Sequence, residues 1–131
     1  MAITIVRLGD PRGTKEGLRI GTVRRPPRGV PKAEFAKRDF YDVWLPNLSP
    51  SQKLVKLALA AQKTKNKKAW AVFARRFRTE MKAPDAAKVL DLLAAFSHRM
   101  DFSVGCYCPE ENWCHRSIRR QLLLDRGAHL V

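Results

Sequence analysis

The feature that most constrains the fold is the alternation of strand-like and helix-like segments along the chain. Apolar and polar residues alternate over residues 3–8 and 18–23, as in β-strands, and residues 102–107 form the short apolar run of a buried strand. Helical spacing of apolar residues fills much of residues 52–99 and continues over residues 114–126. Because strands that alternate with helices form parallel sheets, the sequence predicts an α/β fold, a small single domain with a mostly parallel sheet flanked by helices.

Helical periodicity is clearest in residues 70–81. Apolar side chains recur there at steps of three and four: Trp70, Phe73, Phe77 and Met81. Basic side chains lie on the opposite side: Arg75, Arg76 and Arg78. A stripe with this period belongs in the core and is not a base-stacking surface.

In the predicted helix over residues 84–99 we expect five apolar side chains inside: Val89, Leu90, Leu92, Leu93 and Phe96. Pro31 is expected to open a short helix that extends to about Arg38.

The chain carries a large positive charge. It contains 26 Lys and Arg residues against 12 Asp and Glu residues, which gives a formal net charge of +14 at pH 7. Such a surface attracts phosphate groups and nucleic acid.

No segment has the ~18 continuous apolar residues of a membrane span, and the first residues do not resemble a secretory signal. We therefore expect a cytoplasmic protein whose partner is an anionic small molecule or nucleic acid, with no membrane partner.

Three cysteines fall within nine positions, in a segment that we call the cysteine turn (residues 106–116): Cys106, Cys108 and Cys114. Structural disulfides are rare in cytoplasmic proteins, so other roles come first. With His115 the three thiols could form a Cys3His zinc site. However, Cys114 and His115 are adjacent, which makes it difficult for both to reach one tetrahedral ion. The spacing thus favours no metal and no cofactor.

A second interpretation of the cysteine turn is catalytic, with Cys114, His115 and Arg116 as the catalytic residues. A thiol at a helix N-terminus, beside a histidine and an arginine, ionises more readily than an ordinary thiol. The free amides of the first helical turn could bind an oxyanion or a phosphate. This interpretation predicts thiol-dependent chemistry.

A third interpretation is structural, because free cysteine is often a small core residue. Residues at steps of four would form a buried stripe: Cys114, Ile118 and Leu122. Two further pairs would then lie on solvated helix faces: His115 with Arg119, and Arg116 with Arg120. The residues alone leave the catalytic and structural interpretations open.

A loop rich in arginine follows the second predicted strand, and we call residues 24–29 the arginine loop. Two prolines and a glycine prevent regular structure there. Ligands of parallel α/β sheets bind at the carboxyl ends of strands, where the arginine loop and the cysteine turn should both lie. We therefore predict a joint site for a phosphate- or carboxylate-bearing ligand, to which the loop contributes Arg24, Arg28 and Gly29. Alternatively, the chain is a nucleic-acid-binding module without catalytic activity that uses basic side chains: Arg25, Lys65, Lys67 and Lys68.

Four motifs together resemble one known family. They are Arg24-x-x-Pro27-Arg28-Gly29, Tyr41-Asp42-Val43-Trp44-Leu45-Pro46 followed by Ser49-Pro50-Ser51-x-x-Leu54, Phe73-x-x-Arg76-Phe77-x-x-Glu80, and Cys106-x7-Cys114-His115-Arg116-Ser117. From about residue 18 to its end, the chain resembles domain-of-unknown-function family 488 (DUF 488), particularly the short YeaO-like branch. That branch usually carries an Asp-Arg pair and a Trp before the Pro-Arg-Gly, whereas this chain has Val23 and Pro26 there. The resemblance implies an α/β fold and no established activity.

Overall fold

The sheet of the computed structural model, which describes all 131 residues, has four strands in the order β1-β4-β2-β3. The strands are β1 (Ile3–Arg7), β2 (Leu18–Gly21), β3 (Val43–Trp44) and β4 (Phe102–Cys106), and every neighbouring pair is parallel. β4 lies between β1 and β2 and is buried along its whole length, which explains its unbroken apolar character. The predicted α/β class with a mostly parallel sheet is confirmed.

Four helices accompany the sheet: α1 (Gln52–Thr64), α2 (Lys67–Glu80), α3 (Pro84–Phe96) and α4 (His115–Asp125). The basic run between α1 and α2 interrupts the helix, as predicted, because Lys65 has a left-handed backbone with φ 53°. Asn66 then caps α2 by accepting a hydrogen bond from the Ala69 amide. None of these helices is long and apolar enough to cross a membrane.

The predicted helix over residues 31–38 is wrong. Only Lys32–Glu34 forms a 3-10 turn, and none of its residues is buried. A single helical turn without a buried face gains nothing from packing to offset the cost of helix nucleation. Two other 3-10 turns, Pro46–Leu48 and Glu111–Trp113, precede α1 and α4.

The aromatic stripe of α2 lies at the centre of the core, as predicted. Phe73 and Phe77 are both 0% exposed, and their rings stack with centroids 5.7 Å apart. Met81 is also buried, and Trp70 is half-buried against the same cluster. The period of the stripe thus correctly identified a core face.

The prediction that all five apolar side chains of α3 lie inside is wrong for one face of the helix. Leu90 and Leu93 are buried, but Leu92 is 51% exposed and Phe96 is 40% exposed. Apolar residues occupy more than one face of α3, and a helix buries only the face that its neighbours cover. The pattern within α3 therefore could not show which of its apolar residues lie inside.

The sheet topology brings the arginine loop and the cysteine turn to one edge. β2 and β4 are parallel neighbours, with Gly21 opposite Gly105 in the register, so the segments that follow them leave at the same carboxyl edge. Thr22 joins the two segments, because its amide and its hydroxyl both donate to the Gly105 carbonyl, at 3.0 and 2.9 Å. The predicted common location of the two segments therefore has a structural basis.

Candidate functional site

The cysteine turn begins at the carboxyl end of β4 and runs into α4. Cys106 is the last residue of β4, and Cys114 is the N-cap of α4. Both are buried in a small apolar cluster with Leu8, Val23 and Tyr41. The stripe of α4 expected in the structural interpretation is also buried: Cys114, Ile118 and Leu122. Only Cys108 among the three cysteines is partly exposed.

The thiols and His115 converge on one small volume. The Sγ atoms of Cys106 and Cys108 are 3.8 Å apart. The Sγ atoms of Cys106 and Cys114 and a ring nitrogen of His115 all lie within 4.8 Å of one another. The expectation that adjacent Cys114 and His115 could hardly reach one point is therefore wrong. The chain changes there from extended to helical backbone, which turns both side chains toward the strand end.

The hydrogen bonds of His115 define its tautomer. Its Nδ1 lies 2.7 Å from Nη2 of Arg119, and its Nε2 lies 2.8 Å from Sγ of Cys106. Because a guanidinium only donates, Nδ1 must accept, and the hydrogen of the neutral ring is on Nε2. Burial, followed by the charge of Arg119, lowers the pKa of His115 and favours this neutral form. His115 therefore donates a hydrogen bond to the Cys106 sulfur.

Two arginines of α4 are buried beside the thiols, which corrects the prediction that His115, Arg116 and Arg119 lie on solvated faces. Arg119 is 0% exposed and Arg116 is 4% exposed. Arg119 donates to the carbonyls of Thr22 and Leu48, and its guanidinium lies 6.0 Å from the Phe77 ring centroid. The face of α4 that the sequence predicted to be solvated is therefore covered by α2 and by the turn before α1. Arg120 is only partly buried and pairs with Glu111 at 2.7 Å.

The buried guanidinium groups have no carboxylate partner. Arg116 donates to the Cys108 carbonyl at 2.6 Å, but its Nε has no hydrogen-bond partner, and neither do Nε and Nη1 of Arg119. Neither side chain takes part in an ion pair with an acidic residue. Burial lowers the pKa of Arg119 to about 10, so it still carries its charge at neutral pH. The site therefore contains two buried positive charges that no carboxylate neutralises.

The three thiols differ in acidity. Burial raises the pKa of Cys114, but the neighbouring thiols of Cys106 and Cys108 lower it below that of an ordinary thiol. Hydrogen bonds with Cys108 and Cys114 raise the pKa of Cys106. A hydrogen bond with Cys106 lowers the pKa of Cys108, while Cys114 and burial raise it to about 11. Negative charge in the metal-free cluster is therefore concentrated on Cys114.

The arginine loop is attached to both α1 and the cysteine turn. The Arg24 guanidinium donates to the carbonyls of Pro50 and Ser49, at 3.0 and 3.2 Å, so it is already engaged at the start of α1. The Tyr107 hydroxyl donates to the Arg25 carbonyl at 2.9 Å and joins the loop to the cysteine turn. The other predicted ligand-binding residues are exposed: Arg28 and Gly29.

The residues predicted to bind nucleic acid are all exposed: Arg25, Lys65, Lys67 and Lys68. Lys65 is partly engaged, because its Nζ lies 2.9 Å from Glu110 and 4.9 Å from the Trp113 ring centroid. Lys67 and Lys68 form no ion pair at the start of α2. The set is therefore divided among the arginine loop, the turn between α1 and α2, and α2.

Sequence reasoning missed Arg119, the side chain that joins His115 to the rest of the site. A signal was present, because Arg119 lies between the core residues Ile118 and Leu122, one helical turn after His115. It also missed that the Glu80 carboxylate accepts the Ser51 amide at 2.9 Å. Contacts between α2 and the start of α1 decide that bond, and they are invisible in either segment alone.

The fold and the site define a small α/β domain with a parallel sheet and a buried cysteine–histidine–arginine cluster at its carboxyl edge. Residues 3–127 match the family model DUF488-N3a, described as the active DUF488-N3 subclade, so the chain belongs to the DUF488 family. This match confirms the resemblance to the DUF 488 family. Neither a curated protein nor a solved structure matches the chain.

Proposed function

We propose that the domain binds a phosphate- or carboxylate-bearing ligand at the carboxyl edge of its sheet, and that Cys114 supplies a thiol for chemistry on it. The observation that carries this proposal is the buried positive charge of Arg116 and Arg119, to which no carboxylate is paired. Burying a charge without a partner is costly, and an anion beside these guanidinium groups would remove that cost. Their free Nε and Nη1 atoms would supply the donors.

The remaining roles follow from position. Arg28, exposed in the arginine loop, attracts the anion, while Arg24 holds the base of the loop against α1. The start of α4 adds free backbone amides and the positive end of the helix dipole beside Cys114. The half-buried Cys108 lies where a ligand would enter. The description of the matching family as an active subclade supports chemistry in addition to binding.

Inorganic phosphate tests the binding step. We expect phosphate to raise the melting temperature and to slow alkylation of the cysteine turn by iodoacetamide, with each cysteine followed by mass spectrometry. A ligand at 100 times its dissociation constant stabilises a protein by about 2.7 kcal/mol. The Arg28→Ala variant should lose both effects. Arg99→Ala, an exposed arginine that precedes the amino end of β4, should retain them.

Two results would contradict the proposal. The first is an alkylation rate and a melting temperature that phosphate leaves unchanged. The second is an equal phosphate effect in Arg28→Ala and Arg99→Ala, which would assign it to general charge screening. The thiol step would fail separately if Cys114 remained unmodified in the folded protein while Cys108 reacted.

Nucleic-acid binding is the second candidate function, and the charge of the α1–α2 hairpin favours it. Residues 52–82 contain ten Lys and Arg residues and one acidic residue, Glu80, whose carboxylate accepts the Ser51 amide. Lys65 is the only one of the ten in an ion pair. Unpaired basic side chains along two helices could follow a phosphate backbone.

A salt titration tests this alternative with a duplex and a single-stranded oligonucleotide. Each phosphate contact contributes roughly 0.7–0.9 to the slope of log K against log salt, so a Lys67→Ala/Lys68→Ala variant should lower the slope by roughly 1.5. A Lys15→Ala/Lys37→Ala variant is the control, because both lysines are exposed outside the hairpin. No binding at low salt, or equal slopes for the two variants, would exclude the hairpin as the interface.

A further inference from the structure

We infer that the sulfurs of Cys106, Cys108 and Cys114 form a binding site for a soft monovalent metal ion of the Cu(I) class. The 3.8 Å between the Sγ atoms of Cys106 and Cys108 fits two ligands of one ion. Sulfurs about 2.3 Å from a shared ion lie about 3.8 Å apart in tetrahedral geometry and about 4.0 Å apart in trigonal geometry. The Sγ atom of Cys114 lies within 4.8 Å of the Cys106 Sγ atom and completes the set.

His115 does not belong to this ligand set, although it touches it. A metal-bound histidine needs a free lone pair on Nε2 and usually donates its other N–H to an acceptor. Here Nδ1 faces the Arg119 donor at 2.7 Å, which places the hydrogen on Nε2. In addition, Nε2 lies 2.8 Å from the Cys106 sulfur. Nitrogen and sulfur ligands of one tetrahedral zinc ion would be about 3.5 Å apart.

A set of three sulfurs selects among metals. Structural zinc sites almost always have four protein ligands, whereas this site has only three once His115 is excluded. Thiolates are soft ligands that suit Cu(I). Oxygen-seeking ions such as Mg²⁺ and Ca²⁺ are excluded by the absence of any acidic residue from the cluster.

The charges around the sulfurs support the same ion. Three thiolates with one monovalent cation leave two negative charges. Arg116 and Arg119 supply two positive charges in the same buried region, and neither has a carboxylate partner. The unpartnered guanidinium atoms, Nε of Arg116 and Nε and Nη1 of Arg119, could donate to the thiolates. A divalent ion would leave one of these positive charges unmatched.

The ion has a route to the site through Cys108, the one partly exposed thiol. Metal binding requires only the three sulfurs and therefore does not rest on the proposed thiol chemistry. Since it would occupy the Cys114 sulfur, a bound ion would switch that chemistry off. The metal-loaded protein should accordingly resist alkylation at all three cysteines.

Anaerobic titration of the 131-residue chain with Cu(I), against the chelator bicinchoninate, tests the inference. We expect one ion per chain and an affinity at least tenfold lower in Cys108→Ser, whose partial exposure makes the substitution easy to accommodate. His115→Gln should keep its affinity within about threefold, because glutamine can still donate to Cys106. Circular dichroism checks that both variants fold.

X-ray absorption of the unsubstituted protein loaded with Cu(I) is a second test, and it does not depend on whether any variant folds. A first shell of three sulfurs without nitrogen supports the inference. Nitrogen in that shell, no complex with one ion per chain, or tighter binding of Zn²⁺ with a large loss in His115→Gln would overturn it. Failure of the proposed function is measured separately, by phosphate and alkylation experiments on the metal-free protein.

Discussion

Arg119 contacts several separate parts of the molecule. One terminal nitrogen bonds to His115 and to the carbonyls of Thr22 and Leu48, while the guanidinium plane lies near the Phe77 ring. Through these contacts Arg119 fixes the tautomer of His115 and connects α4 to the ends of two other segments. Its positive charge also remains available to an anion or to thiolates.

Replacing Arg119 with Met should lower the free energy of unfolding by about 1–3 kcal/mol. The substitution keeps an apolar stem but leaves buried acceptors without a donor, which carries a cost of this size. Urea denaturation measures the change, and Arg99→Met, which alters an exposed arginine, should stay within about 0.5 kcal/mol of the parent. An Arg119→Met protein as stable as the parent would mean that burying the charge costs as much as these bonds contribute.

Phe77 and Phe96 form a matched pair for testing the core. Phe77 is 0% exposed and Phe96 is 40% exposed, on α2 and α3 respectively. Phe77→Ala should lower the free energy of unfolding by about 3–5 kcal/mol, because it removes a buried ring and leaves a cavity. Phe96→Ala should cost less than about 1 kcal/mol. Thermal and urea melts of both variants would contradict the described core if the two losses were equal.

At the scale of the elements, the start of α1 is held from two sides. Ser51 caps the helix by accepting the Leu54 amide, and the Glu80 carboxylate at the end of α2 accepts the Ser51 amide. Arg24 from the arginine loop binds the Ser49 and Pro50 carbonyls just before it. The four-residue spacing of Arg76 and Glu80 would allow an ion pair along α2, but the carboxylate bonds to α1 instead.

Glu80→Ala should therefore lower the free energy of unfolding by about 0.5–2 kcal/mol, the range for losing a helix-capping bond. Glu80→Gln should cost less than about 1 kcal/mol, because its carbonyl oxygen can still accept the Ser51 amide. Chemical denaturation of the two variants measures the difference. A Gln variant as unstable as the Ala variant would show that the charge matters more than the bond.

At the scale of the whole molecule, two ion pairs outside the site join the segments around β2. Glu16 pairs with the buried Arg19 at 2.8 Å, and Asp42 pairs with Arg12 at 2.7 Å. Burial raises the pKa of Glu16, but hydrogen bonds from the Gly13 amide and from Arg19 lower it further than burial raises it. A hydrogen bond from Arg12 is the main cause that lowers the pKa of Asp42.

These lowered pKa values predict a loss of stability in acid. The contribution of each carboxylate is complete above its pKa in the unfolded chain, about 4, and disappears as the pH falls through the lower folded pKa. Melting temperatures from pH 6 to pH 2 should fall mainly below about pH 4. Glu16→Gln should flatten this dependence, whereas Asp10→Asn, at an exposed residue without an ion pair, should preserve it. Parallel curves for Glu16→Gln and the parent would contradict the assignment.

The sequence by itself determined three of the four strands, the four α-helices and the core stripe of α2. These features are local: strand alternation and helical period depend on neighbouring residues, and Trp70, Phe73, Phe77 and Met81 show the period without ambiguity. The order of the elements also implied a parallel sheet and placed the arginine loop and the cysteine turn at its carboxyl edge. The cysteine cluster could thus be located, although its role could not.

Only the tertiary structure decided which side chains of α3 and α4 are buried. Leu92 and Phe96 are exposed, while Arg116 and Arg119 are buried, the reverse of what hydropathy alone predicts. The physical reason is that burial depends on what the neighbouring elements cover. α2 and the turn before α1 cover the arginine face of α4, and backbone carbonyls from distant segments supply hydrogen bonds that make a buried guanidinium tolerable. No local pattern encodes those partners, because they lie 71 and 97 residues away in the chain.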